Sequence, residues 1–307
     1  MGRLSLKDRI NKGLFLLDGG MGTQLIAGGI EAGTCNDYLN IELPDTILDI
    51  HRAYLQAGSD AILTNTFGAN KYTLGRHGLA DEVARINAAG AEIARRAAGV
   101  DKYVLGDIGP SGEFLEPLGN LKPEELKDAV CEQAKALLAG GVDGFIIETI
   151  TALDEAAVVI EAVKSVCGDL PVFASMAFDR VGRDFRTMMG VDVESAVSKI
   201  VSLGVDAVGF NCGTATLDEY ITLAKKFVSI IESLKKNRDT SDKRRVMILA
   251  EPNAGKPELV DGKAVYKVSP EDFAEAAERI YSAGVTIIGG CCGTTPEHIK
   301  SMVKMFK

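Results

Sequence analysis

The sequence predicts an α/β protein, a single (β/α)8 barrel domain that covers residues 1–307. Short apolar, β-branched runs recur along the chain, and segments with apolar residues at three- and four-residue spacing lie between them. Strands that alternate with helices form a parallel sheet, and eight such units close most naturally into a barrel. An open doubly wound sheet is the alternative. Regular strand spacing and the lack of a composition break favour one barrel.

Each element has its own signal. The strand-like runs are Phe15–Asp18, Ala61–Asn65, Tyr103–Ile108, Gly144–Glu148, Val172–Met176, Ala207–Asn211, Val246–Glu251 and Thr286–Gly290. The amphipathic helices are Pro44–Ala57, Leu79–Ala98, Lys122–Gly140, Ala152–Cys167, Asp192–Leu203, Leu217–Lys235 and Pro270–Ala283, and a final helix begins near Pro296. Four helices end in a glycine followed two residues later by a polar residue, as in Gly58-Ser59-Asp60, Gly141-Val142-Asp143, Gly204-Val205-Asp206 and Gly284-Val285-Thr286.

Two irregular segments follow strands five and seven, so we expect them at the mouth of the barrel. Phe178–Thr187 has a Val-Gly turn between polar arms, and Pro257–Tyr266 has Asp-Gly between apolar flanks, which is a hairpin signal. The charged run Lys235–Arg245 precedes strand seven and is predicted to be a solvated loop at the opposite face.

Composition argues against several classes of protein. With 43 acidic and 34 basic residues, the formal charge of −9 repels nucleic acid and anionic lipid, so small molecules or proteins are the expected partners. The apolar stretch Leu14–Leu17 is too short for a signal peptide, and no run approaches the roughly 18 residues that span a bilayer. The six cysteines are scattered, which indicates reduced thiols and a cytoplasmic protein.

Polar or thiol groups end nearly every predicted strand. In a barrel, the reactive groups come from the carboxyl ends of the strands, which share one rim. The residues at these ends include Asp18, Asn65, Asp107, Glu148, Ser175, Asn211, Cys212, Glu251, Asn253, Cys291 and Cys292. This rim is therefore the predicted site.

Three of these strand-end residues are thiols. Cys212 ends strand six, and Cys291 and Cys292 end strand eight, so closing the barrel would bring their sulfurs together across strand seven. Three soft thiolates with an open fourth position describe a catalytic zinc site, and glycines flank them on both strands. The alternatives are a strained vicinal disulfide or buried thiols that act as small hydrophobic residues; we expect the latter for the remaining cysteines, Cys35, Cys131 and Cys167.

No histidine offers an obvious fourth zinc ligand. His51 and His77 are expected near the surface in helical or loop segments, and His298 lies one turn into the final helix. A closed structural zinc site would need a fourth protein ligand. The three strand-end thiols therefore favour catalysis over a structural role.

The strand-end carboxylates Asp18 and Glu148 suit an amino-acid substrate. A carboxylate at the mouth is what an α-amino group needs, although either residue could instead cap a helix or pair with an arginine. The glycine turn after Asp18 is too loose for a nucleotide fingerprint, but backbone N–H groups at Gly20 and Met21 could hold a substrate carboxylate. Asn65, at the end of strand two, is a further candidate in this pocket.

Six motifs together resemble one known family. They are LDGGMGTQL, TNTFGAN, GDIGPSG, GFNCG, EPNAGKP and GGCCGTTPEHI, distributed over almost the whole chain. This set resembles the homocysteine S-methyltransferase family, and most closely the N-terminal homocysteine-binding module of cobalamin-dependent methionine synthase. The paired GFNCG and GGCCG motifs are the most specific.

The resemblance implies a fold, a metal and a substrate. It implies a zinc (β/α)8 barrel whose ligands match Cys212, Cys291 and Cys292, and a homocysteine pocket that contains Asp18, the following glycine turn and Glu148. It also implies that the Asn253 amide occupies the open metal position before substrate arrives. Zinc lowers the pKa of a bound thiol, so the substrate thiolate attacks the methyl group without needing a general base.

The methyl donor is less well defined by sequence. The overall likeness favours methylcobalamin, and because the barrel accounts for the 307 residues, we expect the corrinoid on another chain or module. A direct donor such as S-methylmethionine or a betaine is the alternative, and the acceptor is homocysteine or a related thiol. A hypothesis of another class is a zinc-binding or thiol-redox protein without methyl transfer.

Overall fold

The computed structural model describes residues 3–237, 245–260 and 263–306. The barrel strands are β1 (Phe15–Leu16), β2 (Ala61–Leu63), β3 (Tyr103–Ile108), β4 (Gly144–Ile150), β5 (Val172–Met176), β6 (Ala207–Asn211), β7 (Met247–Glu251) and β8 (Ile287–Ile288). They form one parallel sheet. Strand β1 pairs with β8, and the strands from β2 to β8 pair in chain order, each with the next one. This order has no reversal of the kind that an open doubly wound sheet contains, so the predicted barrel is confirmed.

The seam between β1 and β2 is closed by individual hydrogen bonds in place of a regular ladder. The backbone N–H of Asp60 donates to Leu16 O at 2.7 Å, and Leu63 N–H donates to the carboxylate of Asp18 at 3.0 Å. One strand-end carboxylate that the sequence placed in the site therefore also helps to close the barrel.

The helices that cover the barrel match the predicted segments closely. The α-helices are Leu6–Ile10, Met21–Ala27, Leu39–Glu42, Pro44–Ala57, Lys71–Gly75, Val83–Ala98, Pro123–Ala139, Leu153–Val166, Val193–Ser202, Leu217–Asn237, Pro270–Ser282 and Pro296–Phe306, with single 3-10 turns at Asn36–Tyr38 and Ala80–Glu82. Side-chain caps set several starts: Ser269 accepts the N–H of Asp272 at 3.1 Å, and Asp192 accepts that of Ser195 at 2.9 Å.

Short helices are the elements that the sequence did not predict. Those at Leu6–Ile10, Met21–Ala27, Leu39–Glu42 and Lys71–Gly75 contain four to seven residues, which is too short for a helical period to be recognisable. The first of them closes the end of the barrel opposite the mouth, because Leu6 and Ile10 pack into the cluster inside the barrel.

The two largest apolar clusters are an inner and an outer core. The inner core lies within the barrel and includes Phe15, Leu105 and Phe173 from the strands. The outer core fills the space between strands and helices, with Phe145, Ile160 and Phe227 among its fully buried members. The strands are buried on both faces, as expected for a parallel barrel.

The recurrent glycine-x-Asp segments do more than end helices. Asp60, Asp143 and Asp206 each exchange two hydrogen bonds with one residue of the preceding strand, using the backbone N–H and the carboxylate. For Asp143 both bonds join Val104 and measure 2.8 Å. In the fourth segment, Thr286 makes the backbone bond, but its hydroxyl has no partner within the described ranges. Each aspartate thus ties together neighbouring strands at the end opposite the mouth.

Each of the two irregular segments predicted after strands five and seven contains an antiparallel pair of short strands. Asp179–Val181 pairs with Asp184–Arg186, and Glu258–Val260 pairs with Lys263–Val265, each antiparallel. The predicted Asp-Gly turn at residues 261–262, and residues 238–244 of the predicted charged loop, lie outside the described residues. Among the described helices, none combines the length and apolar character needed to cross a membrane.

The expectation that His51 lies near the surface is wrong. His51 is completely buried on the inner face of helix Pro44–Ala57, and neither ring nitrogen has a hydrogen-bond partner in the described part of the chain. Burial lowers the pKa of His51 to about 4. The imidazole is therefore neutral at physiological pH.

Candidate active site

The three predicted thiols converge at the mouth of the barrel. The Sγ atoms of Cys212, Cys291 and Cys292 all lie within 4.8 Å of one another, and Cys212 Sγ is 3.9 Å from Cys292 Sγ. Cys212 directly follows β6 and has a left-handed backbone, φ 51°. We call these three residues the thiol trio. Their donor atoms are the soft ligands that zinc prefers, and their spacing suits a single ion.

Contacts within the thiol trio affect its ionisation. Hydrogen bonds from Cys212, and then from Cys291, lower the pKa of Cys292 to about 3. The pKa of Cys291 is raised well above its usual range, first by its hydrogen bond with Cys212. One thiolate is therefore stabilised by its neighbours, and further ionisation calls for a compensating cation.

Hydrogen bonds join the cysteine turn after β8 to the glycine turn after β1. Gly20 N–H donates to the Thr294 hydroxyl at 3.0 Å, and that hydroxyl donates to Cys291 O at 2.7 Å. Gly293 N–H donates to the Thr23 hydroxyl at 2.8 Å. The thiols and the predicted carboxylate-binding turn are thereby held as one unit.

Tyr266, which sequence reasoning did not single out, covers the cysteine turn. Gly293 has φ 81°, and a Cβ atom built on it would lie 2.1 Å from Tyr266 Cγ, so the close approach requires glycine. Tyr266 also contributes to lowering the pKa of the Cys292 thiol, after Cys212 and Cys291. No local sequence pattern marked this tyrosine, because its partner is distant in the chain.

A cavity of about 1070 Å³ opens beside the thiol trio. The predicted substrate residues all line it together with the thiols: Asp18, Gly20, Met21, Asn65 and Glu148. Pockets of this size accommodate drug-sized ligands, so an amino acid would leave part of the cavity free. The residues that the sequence predicted for the substrate and for the metal therefore line one cavity.

Among the carboxylates that line this cavity, four lie at the ends of barrel strands, and we call them the acidic floor: Asp18, Asp107, Glu148 and Glu251. Burial raises the pKa of each; that of Glu148 rises to about 8, with a further contribution from the charge of Cys212. Within the described ranges, no lysine, arginine or histidine forms an ion pair with any of them. A positively charged ligand is the natural partner of such a floor.

Asp107 and Glu251 are the members that sequence reasoning noted at strand ends without assigning a role. Their side chains are 5% and 1% exposed, and Asp107 Oδ1 and Glu251 Oε2 have no hydrogen-bond partner in the described structure. Their position at the ends of β3 and β7 was the available signal. Only the structure reveals that one oxygen of each carboxylate has no partner among the described residues.

The two predicted asparagines occupy different settings. Asn65 lines the cavity, but its Nδ2 donates to Asn36 O at 2.7 Å and to Asn40 Oδ1 at 3.2 Å, which holds the neighbouring loop. Asn253 is 1% exposed and lies behind the trio, where its Nδ2 donates to Gly213 O at 2.8 Å. Asn253 Oδ1 has no partner in the described residues, so it is free to accept a bond.

Comparison with known proteins agrees with this geometry. The family model for homocysteine S-methyltransferase matches residues 15–306. Methionine synthase from Mycobacterium tuberculosis is 34% identical over 97% of the chain, and methionine synthase from Mycobacterium leprae is 34% identical over 93%. The chain spans about a quarter of the length of these curated relatives, 25% and 24%.

Solved structures show the same fold. The metallated form of the homocysteine methyltransferase MmuM from Escherichia coli superposes with a TM-score of 0.76 at 21% identity, covering 97% of this chain and 99% of that one. Its oxidized form gives a TM-score of 0.75 at the same identity, covering 98% of each chain. The family model and the methionine synthase relatives establish what the fold alone does not: this chain belongs to the homocysteine S-methyltransferase family.

Proposed function

We propose that this chain transfers a methyl group to the thiol of homocysteine, giving methionine, with zinc held by Cys212, Cys291 and Cys292. The observation that carries the proposal is that a thiol trio and an acidic floor without cations share one cavity. The trio suits a soft metal, and the floor suits an α-ammonium group. A zinc-storage or thiol-redox protein would have no use for the second feature.

The chain's donor set fits zinc with one position to spare. Three thiolates leave the fourth tetrahedral position for substrate, and Asn253 Oδ1, which is buried and without a partner in the described chain, is proposed as its ligand before substrate arrives. When bound there, zinc would lower the pKa of the substrate thiol, so that the thiolate is available near neutral pH.

The remaining residues bind and orient the amino acid. The acidic floor receives the α-ammonium group, and we add Asp107 and Glu251 to the predicted Asp18 and Glu148 because their oxygens have no other partner in the described chain. The substrate carboxylate lies near the backbone N–H of Met21, where the helix Met21–Ala27 begins, whereas the predicted Gly20 N–H is already bonded to the Thr294 hydroxyl. Asn65 keeps the wall of the pocket in place through its bonds to the loop.

We propose methylcobalamin, carried on another chain or module, as the methyl donor. The likeness to methionine synthases four times as long as this chain supports a modular partner, and the cavity is larger than one amino acid requires. A direct donor is the second candidate, because the acidic floor would also attract the positive charge of S-methylmethionine or betaine.

The test is to measure zinc in the purified protein and then to assay homocysteine methylation with methylcobalamin, S-methylmethionine and betaine in parallel. We expect one zinc per chain and turnover with methylcobalamin. Turnover with only S-methylmethionine or betaine would show that the protein uses a direct donor. Zinc-free protein that methylates homocysteine would overturn the metal assignment.

A further inference from the structure

Asn211, the last residue of β6, has no part in the function proposed above, yet it lies between the acidic floor and the thiol trio. Its side chain is completely buried. The next residue in the chain is Cys212, and the side chain extends toward the ends of β4 and β5 and toward the cysteine turn after β8. A buried amide in this position must find several hydrogen-bond partners.

The orientation of the amide is determined by its neighbours. The backbone N–H of Thr149 donates to Asn211 Oδ1 at 2.9 Å, and the Ser175 hydroxyl donates to the same oxygen at 2.8 Å. Because a backbone N–H can only donate, the atom that faces Thr149 N must be the oxygen. The NH2 group of Asn211 therefore faces the opposite side, toward the site.

That NH2 group reaches both halves of the site. Asn211 Nδ2 lies 3.1 Å from Glu148 Oε2 and 2.6 Å from Thr149 Oγ1, and it is 3.9 Å from Cys291 Sγ. The first two are direct hydrogen bonds, and the third is a long contact to sulfur. One buried amide thus contacts a carboxylate of the acidic floor and a thiol of the trio.

The same amide holds a strained turn. Thr149 has φ 61°, an unfavourable conformation for a β-branched residue, and such strain persists only where the surroundings enforce it. Asn211 binds Thr149 at both its backbone N–H and its hydroxyl. These bonds keep the end of β4, and with it Glu148, directed at the cavity.

We propose that Asn211 is a positioning residue that couples the amino-acid pocket to the metal ligands. It orients Glu148 toward the α-ammonium group of the substrate, and its amide lies against the Cys291 side chain, 3.9 Å from Sγ. The proposal rests on the function proposed above. Polar groups that contact metal ligands and hold them in place typically change metal affinity when they are removed.

The test replaces Asn211 with alanine and measures binding of two thiols to the zinc-loaded protein. One is homocysteine, and the other is 4-mercaptobutanoate, which lacks the α-amino group. We expect Asn211→Ala to weaken homocysteine binding about tenfold, with little effect on 4-mercaptobutanoate, because Glu148 is no longer oriented. Zinc affinity, measured by chelator competition, should fall about tenfold. Equal losses for both thiols with unchanged zinc affinity would indicate a merely structural residue and overturn the proposal.

Three further variants make the result unambiguous. Ser175→Ala removes one bond to Asn211 Oδ1 on the side away from the site, but the Thr149 N–H still fixes the amide orientation, so the preference for homocysteine should be preserved. Asn211→Ser, a smaller polar replacement, serves if the alanine variant does not fold. Glu148→Gln separates the two proposals. If Glu148→Gln abolishes the preference for homocysteine over 4-mercaptobutanoate and Asn211→Ala does not, the inference on Asn211 fails while the proposed function stands. If Glu148→Gln leaves the preference unchanged, the proposed amino-acid pocket itself is wrong.

Discussion

The carboxylates at the two ends of the barrel differ in whether they form ion pairs. At the closed end, opposite the mouth, Asp143 pairs with Arg3 and Arg95 at 2.5 Å each, and Asp60 pairs with Arg9 at 2.9 Å. At the mouth, Asp18, Asp107 and Glu251 are more deeply buried, and no carboxylate of the acidic floor forms an ion pair within the described residues. Cations of the chain itself balance the charges at one end only.

This difference separates stability from function. A buried carboxylate without a partner destabilises the folded state, whereas a paired one that also accepts backbone N–H groups stabilises it. Proteins retain unfavourable groups where a ligand later compensates them. The closed end therefore holds the barrel together, and the mouth is left ready for a positively charged ligand.

The largest expected effect is at the thiol trio. Replacing Cys292 with alanine removes one of three soft ligands, so we expect loss of zinc and at least about a thousandfold loss of homocysteine methylation. Metal analysis and the methylation assay check this. The matched control is Cys131→Ala, on the outer helix Pro123–Ala139, which should keep both zinc and activity. Full activity in Cys292→Ala would contradict the zinc assignment.

Charge neutralisation should have opposite effects on stability at the two ends. Asp143→Asn loses its pairing with two arginines, so we expect the free energy of unfolding to fall by about 3 kcal/mol, with an unchanged KM for homocysteine. Asp107→Asn removes an unpaired buried carboxylate, so we expect a higher Tm and about a tenfold higher KM. Thermal melts and steady-state kinetics measure both. If both variants shift Tm in the same direction, the proposed difference between the paired and the unpaired carboxylates is wrong.

The pH dependence of the free energy of unfolding should reveal the contribution of one further carboxylate at the mouth. Asp37 lines the cavity, and burial raises its pKa to about 6. Because the folded state holds the proton more tightly than the unfolded state, the wild type should lose stability as pH rises from about 4 to 6, then show no further loss from this group. Asp37→Asn should match the wild type below pH 4 and exceed it above pH 6. A gap that does not change between these limits would contradict this assignment.

The smallest expected effects come from a pair of glycines. Gly293 at the mouth and Gly141 at the closed end both have positive φ, 81° and 89°, but only a Cβ on Gly293 would meet other atoms within 4 Å. Gly141→Ala should therefore lower the free energy of unfolding by about 1 kcal/mol through backbone strain alone. Gly293→Ala must displace Tyr266 or the cysteine turn, so zinc affinity should fall about tenfold. Equal zinc affinity in both variants would show that the turn tolerates the change.

Much of the barrel could be predicted because its signals are local. The strand at Val172–Met176 and the helix at Pro44–Ala57 occur exactly where apolar runs and helical spacing predicted them. Alternation of such elements determines a parallel barrel, and a barrel determines which end of each strand faces the mouth. The convergence of Cys212 with Cys291 and Cys292 follows from that topology, although 80 residues separate Cys212 from Cys292.

The partners of individual side chains were decided only by the tertiary structure. Nothing local to Asn211 indicates that its amide bonds Glu148, which lies 63 residues earlier in the chain. The sequence likewise placed Asp107 at a strand end without showing that it lacks a partner, and it misplaced His51 at the surface. Hydrogen bonds and ion pairs depend on distances of a few ångströms between segments that are far apart in the sequence. The sequence by itself determined the fold, the thiol trio and the rim on which the site lies, whereas packing decided which charges are balanced and which await a ligand.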